Sequence, residues 1–221
     1  MKKFTLILSM VFAIISMNAQ TFYEDFNNGI PSTFQVINVD GNTPATGVST
    51  FTDAWNSKVR EGSDKMIGST SWYTPAGTAN DWIITPKLTP VAGDFLVWEA
   101  KAQDPSYKDG YVVKISTTDS AMSSFTTTLI TVPQENSTWT GHSIDMSSYV
   151  GQDVYIAFIN NSTDMFILYM DNIGLFSDQY KVKPNSLTLP PVVMVNTAVN
   201  IKGNVSNLGI VDVTSYEVSF N

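Results

Sequence analysis

Tyr111-Val112-Val113-Lys114-Ile115-Ser116 sets Tyr111, Val113 and Ile115 against Val112, Lys114 and Ser116 with a period of two. That is the spacing of a strand with one face turned to a core. Upstream, Leu96, Trp98, Ala100 and Ala102 alternate in the same way. Downstream, Val154-Tyr155-Ile156-Ala157-Phe158-Ile159 is apolar on both faces, the pattern of a central strand covered on both sides. Phe166 to Leu175 reads as a further strand interrupted by one charge, Asp171. Between these runs lie Gly, Pro, Asn, Asp and Ser clusters, and amphipathic helical periodicity is nearly absent. The chain therefore reads as all-β.

The two ends carry different signals. Met1-Lys2-Lys3 followed by the apolar run Phe4 to Ile15 and the small polar stretch Ser16 to Gln20 reads as a signal peptide, residues 1–19, with cleavage near Ala19-Gln20. The apolar run is too short for a spanning anchor, which needs about 20 residues, so the mature chain is expected in a secreted or outer cell-surface location. Loss of Lys2 and Lys3 takes the formal charge from -8 to -10. An acidic chain of this kind excludes nucleic acid and anionic membrane surfaces as natural partners, since both demand a basic face. It suits divalent cations, although acidity also serves plain solubility. There is no cysteine, so neither disulfides nor a lipid-modified cysteine enter the account. Residues 20–178 are expected to form the main domain. After Tyr180 the composition turns to Val, Asn and Thr, and residues 179–221 supply about three strands. That is the start of a second, immunoglobulin-like β domain and short of the roughly seven strands such a sandwich needs. The chain stops at Asn221 directly after an apolar strand, so this second unit is expected to be incomplete.

Catalytic chemistry has few residues to draw on. His142 is the one histidine, and in Gly141-His142-Ser143-Ile144-Asp145 the strand period sends His142 and Ser143 to opposite faces. No zinc helix, nucleophile elbow or phosphate loop is present. The expectation is a protein that is not an enzyme. More informative is Asn38-Val39-Asp40-Gly41-Asn42, where alternate oxygen-bearing side chains flank a glycine able to turn sharply. Such a loop can collect ligands for a hard cation such as calcium, and it can equally be a plain β-turn. Asp171 inside an apolar run, and Glu24 and Asp25 between Phe22 and Phe26, raise the desolvation question unless paired, coordinated or solvated. Trp55, Trp72, Tyr73 and Tyr107 lie in loop-like contexts as candidate ligand-binding platforms, with bracing of the core as the competing role. Trp82, Trp98 and Trp139 are assigned to the core.

A set of short blocks then falls in order: Tyr23-Glu24-Asp25-Phe26-Asn27-Asn28-Gly29-Ile30-Pro31, the loop at 38–42, Asn80-Asp81-Trp82-Ile83-Ile84-Thr85-Pro86-Lys87-Leu88, Ala102 to Tyr107, Val113 to Thr118, Trp139, Ser162 to Phe166 and Met170-Asp171-Asn172-Ile173. Over residues 21 to 177 this resembles the cleaved-adhesin family, also called choice-of-anchor J domains, the adhesin modules of gingipain-type haemagglutinins on secreted proteins of Bacteroidetes. The resemblance implies a jelly-roll, galactose-binding-like β-sandwich with structural calcium. Carried over position by position, it nominates Glu24, Asp40 and Asp171 as ligands, with Asn27, Asn38 and Asn42 where the family more usually has acids. It implies a secreted or surface adhesin-type module that binds a host or matrix protein or a glycan. The alternative is an ancillary carbohydrate-binding module of a larger secreted hydrolase or peptidase. Asp119-Ser120-Ala121 also fits the O-glycosylation pattern of that bacterial group, as the resemblance implies.

Overall fold

The computed structural model describes residues 22–176, together with the strands Val182–Thr188 and Lys202–Asn207. The expected signal peptide at 1–19 lies outside the described residues, as does the expected second domain at 179–221 apart from the backbone of those two strands, which pair antiparallel with one another. Eleven strands build the main unit: β1 Phe22–Glu24, β2 Gln35–Asn38, β3 Asn56–Glu61, β4 Asp64–Thr70, β5 Asp81–Ile84, β6 Phe95–Ala102, β7 Tyr111–Ser116, β8 Thr127–Val132, β9 Thr140–Asp145, β10 Tyr155–Asn160 and β11 Ile167–Phe176. Among the described residues, helix is confined to three single 3-10 turns.

The strands form two antiparallel sheets. One runs β3-β4-β11-β6-β9, with β1 also on β11; the other runs β2-β5-β10-β7-β8. β11 is the spine of the first sheet. One of its edges is shared, Ile167 to Met170 pairing with β4 and Ile173 to Leu175 with β1, while β6 runs along the other edge. The ladder to β6 shifts register between Asp171 and Gly174, where Asn172 takes φ 55°. A bulge of this kind re-aims side chains.

The alternations read from the sequence hold. Tyr111, Val113 and Ile115 enter the core from β7, and Leu96, Trp98 and Ala100 enter it from β6. Each large apolar side chain so buried contributes about 1.5–3 kcal/mol. β10 sits between β5 and β7 and is covered on both faces. Ile156 and Phe158 face the main core, whereas Ala157 and Ile159 join Trp82, Ile84 and Phe125 in a second cluster on the outer face of that sheet. Trp139 departs from its core assignment. It is half-buried just before β9, and its ring lies 3.9 Å from the Arg60 guanidinium carbon, so it covers a charge instead of filling the core.

Candidate functional site

β4 ends at Thr70, and the chain continues through Ser71 into Trp72, whose ring packs at a tilt of 56° on Phe166 with centroids 5.6 Å apart. Trp72 keeps 38 % of its surface exposed and Tyr107 keeps 57 %. The two rings border a groove of about 480 Å³ whose other walls are Asp104, Asp164, Met165 and Phe166. This volume is in the usual range for small-ligand sites. The walls are braced from beneath. Asp109 is fully buried; its Oδ1 accepts from the Ser71 hydroxyl at 2.6 Å and its Oδ2 accepts from the Phe166 amide at 3.0 Å. The Met165 amide donates to Ser71 Oγ at 3.2 Å. Asp104 Oδ1 accepts from the amides of Ser106 and Tyr107, which fixes the turn that presents the Tyr107 ring. At Gly47 a Cβ would lie 2.6 Å from the Trp72 ring, so only glycine allows the 46–48 turn to press against it.

Trp72 and Tyr107 thus meet at one surface, whereas Trp55 and Tyr73 do not join them. Trp55 is 2 % exposed and Tyr73 4 % exposed, so neither offers a ring face to a ligand. They are braces for Asp81: Trp55 Nε1 donates to its carbonyl at 3.1 Å, and the Tyr73 hydroxyl donates to its Oδ2 at 3.0 Å. Asp81 is buried, and Ser69 Oγ also donates to Oδ2. Its Oδ1 is, among the described residues, the one buried side-chain polar atom without a hydrogen-bond partner. Burial first, and the charge of Asp40 second, push the carboxyl up to about 7.

A cavity of about 120 Å³ lies there, lined by Asn38, Asn42, Thr52, Asp53 and Asp81 among others. The 38–42 loop closes as a turn, with Gly41 at φ 63°. The Gly41 amide donates to Asn38 Oδ1, the Asn42 amide to Asp40 Oδ1 and the Asn80 amide to Asp40 Oδ2. Oxygen-bearing side chains around an orphaned buried carboxylate oxygen suit a hard cation in donor chemistry. Among the described residues no group of three or more His, Cys, Asp or Glu side chains comes together, so such a site would draw on amides and carbonyls as well.

The remaining calcium nominees lie elsewhere. Glu24 Oε1 accepts from the Phe26 amide, and Asn27 Oδ1 accepts from the Lys65 amide. Asp171, at the bulge, has a charge partner in Arg60, whose Nη1 lies 2.5 Å from Asp171 Oδ2 and 2.8 Å from Glu99 Oε2. With the guanidinium in place, the donor set at Asp171 does not fit a cation. His142 stacks on Trp98 and its Nε2 lies 2.8 Å from Glu135 Oε2, while Ser143 is exposed on the opposite face.

Outside the 38–42 region burial raises Asp109 to about 6, Asp171 to about 7, and Glu24 above its usual value. Between the ordinary carboxylate value near 4 and these values, the folded state holds more protons than the unfolded chain, so stability falls as pH rises. In EDTA the melting temperature is expected to climb as the pH is lowered from 8 to 5. A flat or falling profile would show that these carboxyls are not desolvated.

A family model described as "Cleaved Adhesin Domain" matches residues 19–175. "Hemagglutinin A" of Porphyromonas gingivalis is 28% identical over 188 residues, covering 73% of this chain and 7% of that protein. "Lys-gingipain W83" of the same organism is 27% identical over 188 residues, covering 73% of this chain and 10% of that protein. The solved K1 cleaved adhesin domain of Lys-gingipain from P. gingivalis W83 aligns with a TM-score of 0.57 and 26% identity, over 72% of this chain and 99% of that one. The K3 domain of the same protein aligns with a TM-score of 0.55 and 26% identity, over 71% and 97%. The chain thus matches a small part of the curated relatives and nearly the whole of the solved single domains.

Proposed function

Because this chain belongs to the cleaved-adhesin domain family, we propose that it is a non-catalytic binding module of an exported adhesin whose Trp72–Tyr107 groove holds the sugar rings of a surface glycan. The observation that carries this reading is the pairing of exposed aromatic rings with carboxylates in one groove. Aromatic faces stack on the C–H faces of a pyranose, and carboxylates accept hydrogen bonds from its hydroxyls. Export follows from residues 1–19 read as a signal peptide. Among the described residues no helix is long and apolar enough to cross a membrane. The matched region is 7% and 10% of the two relatives, which supports a role as one module within a longer protein.

The test is a glycan array followed by titration of the full chain with the best hit. Trp72→Ala and Tyr107→Ala are each expected to weaken binding about tenfold or more, the equivalent of roughly 1.4 kcal/mol. Tyr107 is more than half exposed, so the melting temperature of Tyr107→Ala should stay near that of the parent and make it the cleaner test, whereas Trp72→Ala also loses packing on Phe166 and is expected to melt lower. Unchanged affinity in both variants, or binding to matrix proteins on a parallel array with no glycan bound, would overturn the glycan reading.

The same proposal includes a structural calcium ion held by the 38–42 loop together with Asp81 and Asp53. Calcium takes 6–8 oxygen ligands and tolerates amides and carbonyls among them. There it would neutralise Asp81 and tie β2 and β5 to the segment before β3.

A further inference from the structure

We infer that the Trp72–Tyr107 groove selects a sugar carrying a free, protonated amine over its N-acetylated form and rejects acidic sugars, an inference that rests on reading the groove as a glycan site. The first support is the charge of the lining. Asp104 and Asp164 line the groove and no basic residue does; Lys108, next to Tyr107, is not part of the wall.

The second support is how the two carboxylates are held. Asp104 is fixed through Oδ1 by two backbone amides, and its Oδ2 makes no hydrogen bond to the described residues. Asp164 sits at φ 51°, a left-handed conformation that aspartate tolerates better than most residues, and its amide is tied to the Gly77 carbonyl. Its carboxylate is exposed and makes no hydrogen bond or ion pair with the described residues. The groove therefore presents two acceptors without a cation of the protein's own.

The third support is the aromatic wall. Trp72, Tyr107 and Phe166 line the same space, and a cation seated beside an aromatic ring gains from the ring quadrupole in addition to the carboxylates. The fold uses this chemistry elsewhere, with Lys58 Nζ 3.8 Å from the Phe51 ring centroid and Arg60 on Trp139. An acetylated amine loses the charge and both of these attractions. A uronic acid brings a third carboxylate beside two others and is excluded by like charge.

The experiment is titration of the full chain, by calorimetry at pH 6, with three tetrasaccharides: fully deacetylated chitosan, fully acetylated chitin and galacturonate. The chitosan form is expected to bind about tenfold tighter than the chitin form, with no binding of the galacturonate. In D104N/D164N the ratio between the first two should collapse to about one. The amide side chains keep an acceptor oxygen for the Ser106 and Tyr107 amides, and an unchanged melting temperature confirms the fold. Raising the salt should shrink the preference in the parent, since the groove is open to solvent.

Equal affinity for the chitosan and chitin forms, or a preference that survives in D104N/D164N, overturns the selectivity while leaving the glycan groove standing. A lysine-rich peptide that displaces chitosan with higher affinity overturns the choice of a sugar as carrier of the amine. If none of the three sugars binds and the glycan array is also blank, the groove reading itself falls.

Discussion

Arg60→Ala is expected to destabilise the main domain by about 3–5 kcal/mol, the cost typical of removing one partner from a buried ion pair. The Arg60 Nη1 bridges Glu99 Oε2 at 2.8 Å and Asp171 Oδ2 at 2.5 Å, and Asp171 is 1 % exposed. The wider network makes the loss hard to absorb. Asn172 Nδ2 donates to the same Glu99 oxygen at 2.6 Å, and the Tyr23 hydroxyl donates to Asn172 Oδ1, so β1, β3, β6 and β11 all meet at this point. Trp139 also loses the cation beneath its ring. Equilibrium unfolding in urea checks the magnitude.

Two further results distinguish lost charge compensation from lost packing. Adding Asp171→Asn to Arg60→Ala should recover part of the deficit, because a neutral amide needs no counterion. Lowering the pH should also narrow the gap, since Asp171 is already raised to about 7 by burial, against the lowering effect of Arg60. With the guanidinium gone it protonates at higher pH still. A deficit that ignores both pH and the second substitution would mean that Arg60 acts through packing alone.

Calcium should raise the melting temperature of the EDTA-treated protein, and Asp81→Asn should abolish the response. At a concentration one hundred times the dissociation constant, a ligand that binds only the folded state adds about 2.7 kcal/mol. For a domain of this size that is a rise of roughly 5–10 °C. The substitution separates two accounts of Asp81. If its orphaned Oδ1 is there to meet a cation, the parent responds to calcium and the variant does not. If Asp81 is instead held as a neutral acid by burial, neither responds, and Asp81→Asn is tolerated or mildly stabilising because an amide carries no charge to desolvate. Asp171→Asn in a parent Arg60 background should leave the calcium response intact, since that carboxylate is answered by the guanidinium.

The strands were legible because the information needed to find them is local. Tyr111, Val113 and Ile115, or Leu96 and Trp98, declare a buried face within six residues, and the double-sided apolar run at 154–159 marks the central strand β10. The aromatic residues were not legible in the same way. Trp55 follows Thr52-Asp53-Ala54 and Trp72 follows Thr70-Ser71, and nothing within ten positions says that one lies beneath the sandwich surface and the other on top of it. The difference is set at long range: Pro44 bridges to Tyr73, and Trp55 reaches the carbonyl of Asp81, 26 residues away. Arg60 is illegible in the sequence for the same reason. Its partners are 39 and 111 positions distant, and a lone arginine in a polar edge strand looks solvated. The neighbours of Tyr107 in the groove, Asp104 and Asp164, carry only turn signals. Asp81 carries no local signal of its role, because its missing partner is a property of the folded cavity.

The pairing of β1 with β11 has a mechanical consequence. Phe22 stands opposite Leu175, so the chain enters and leaves the sandwich side by side. With cleavage near Ala19, only two residues precede β1, so a pull between a ligand in the groove and the chain beyond Phe176 does not act through β1. It runs along β11, from the groove beside Ile167 to the exit at Phe176, about eight strand residues or roughly 25 Å away. Under flow such a load shears the ladders of β11 to β4, β6 and β1 together instead of opening them bond by bond, the geometry in which a sheet resists best.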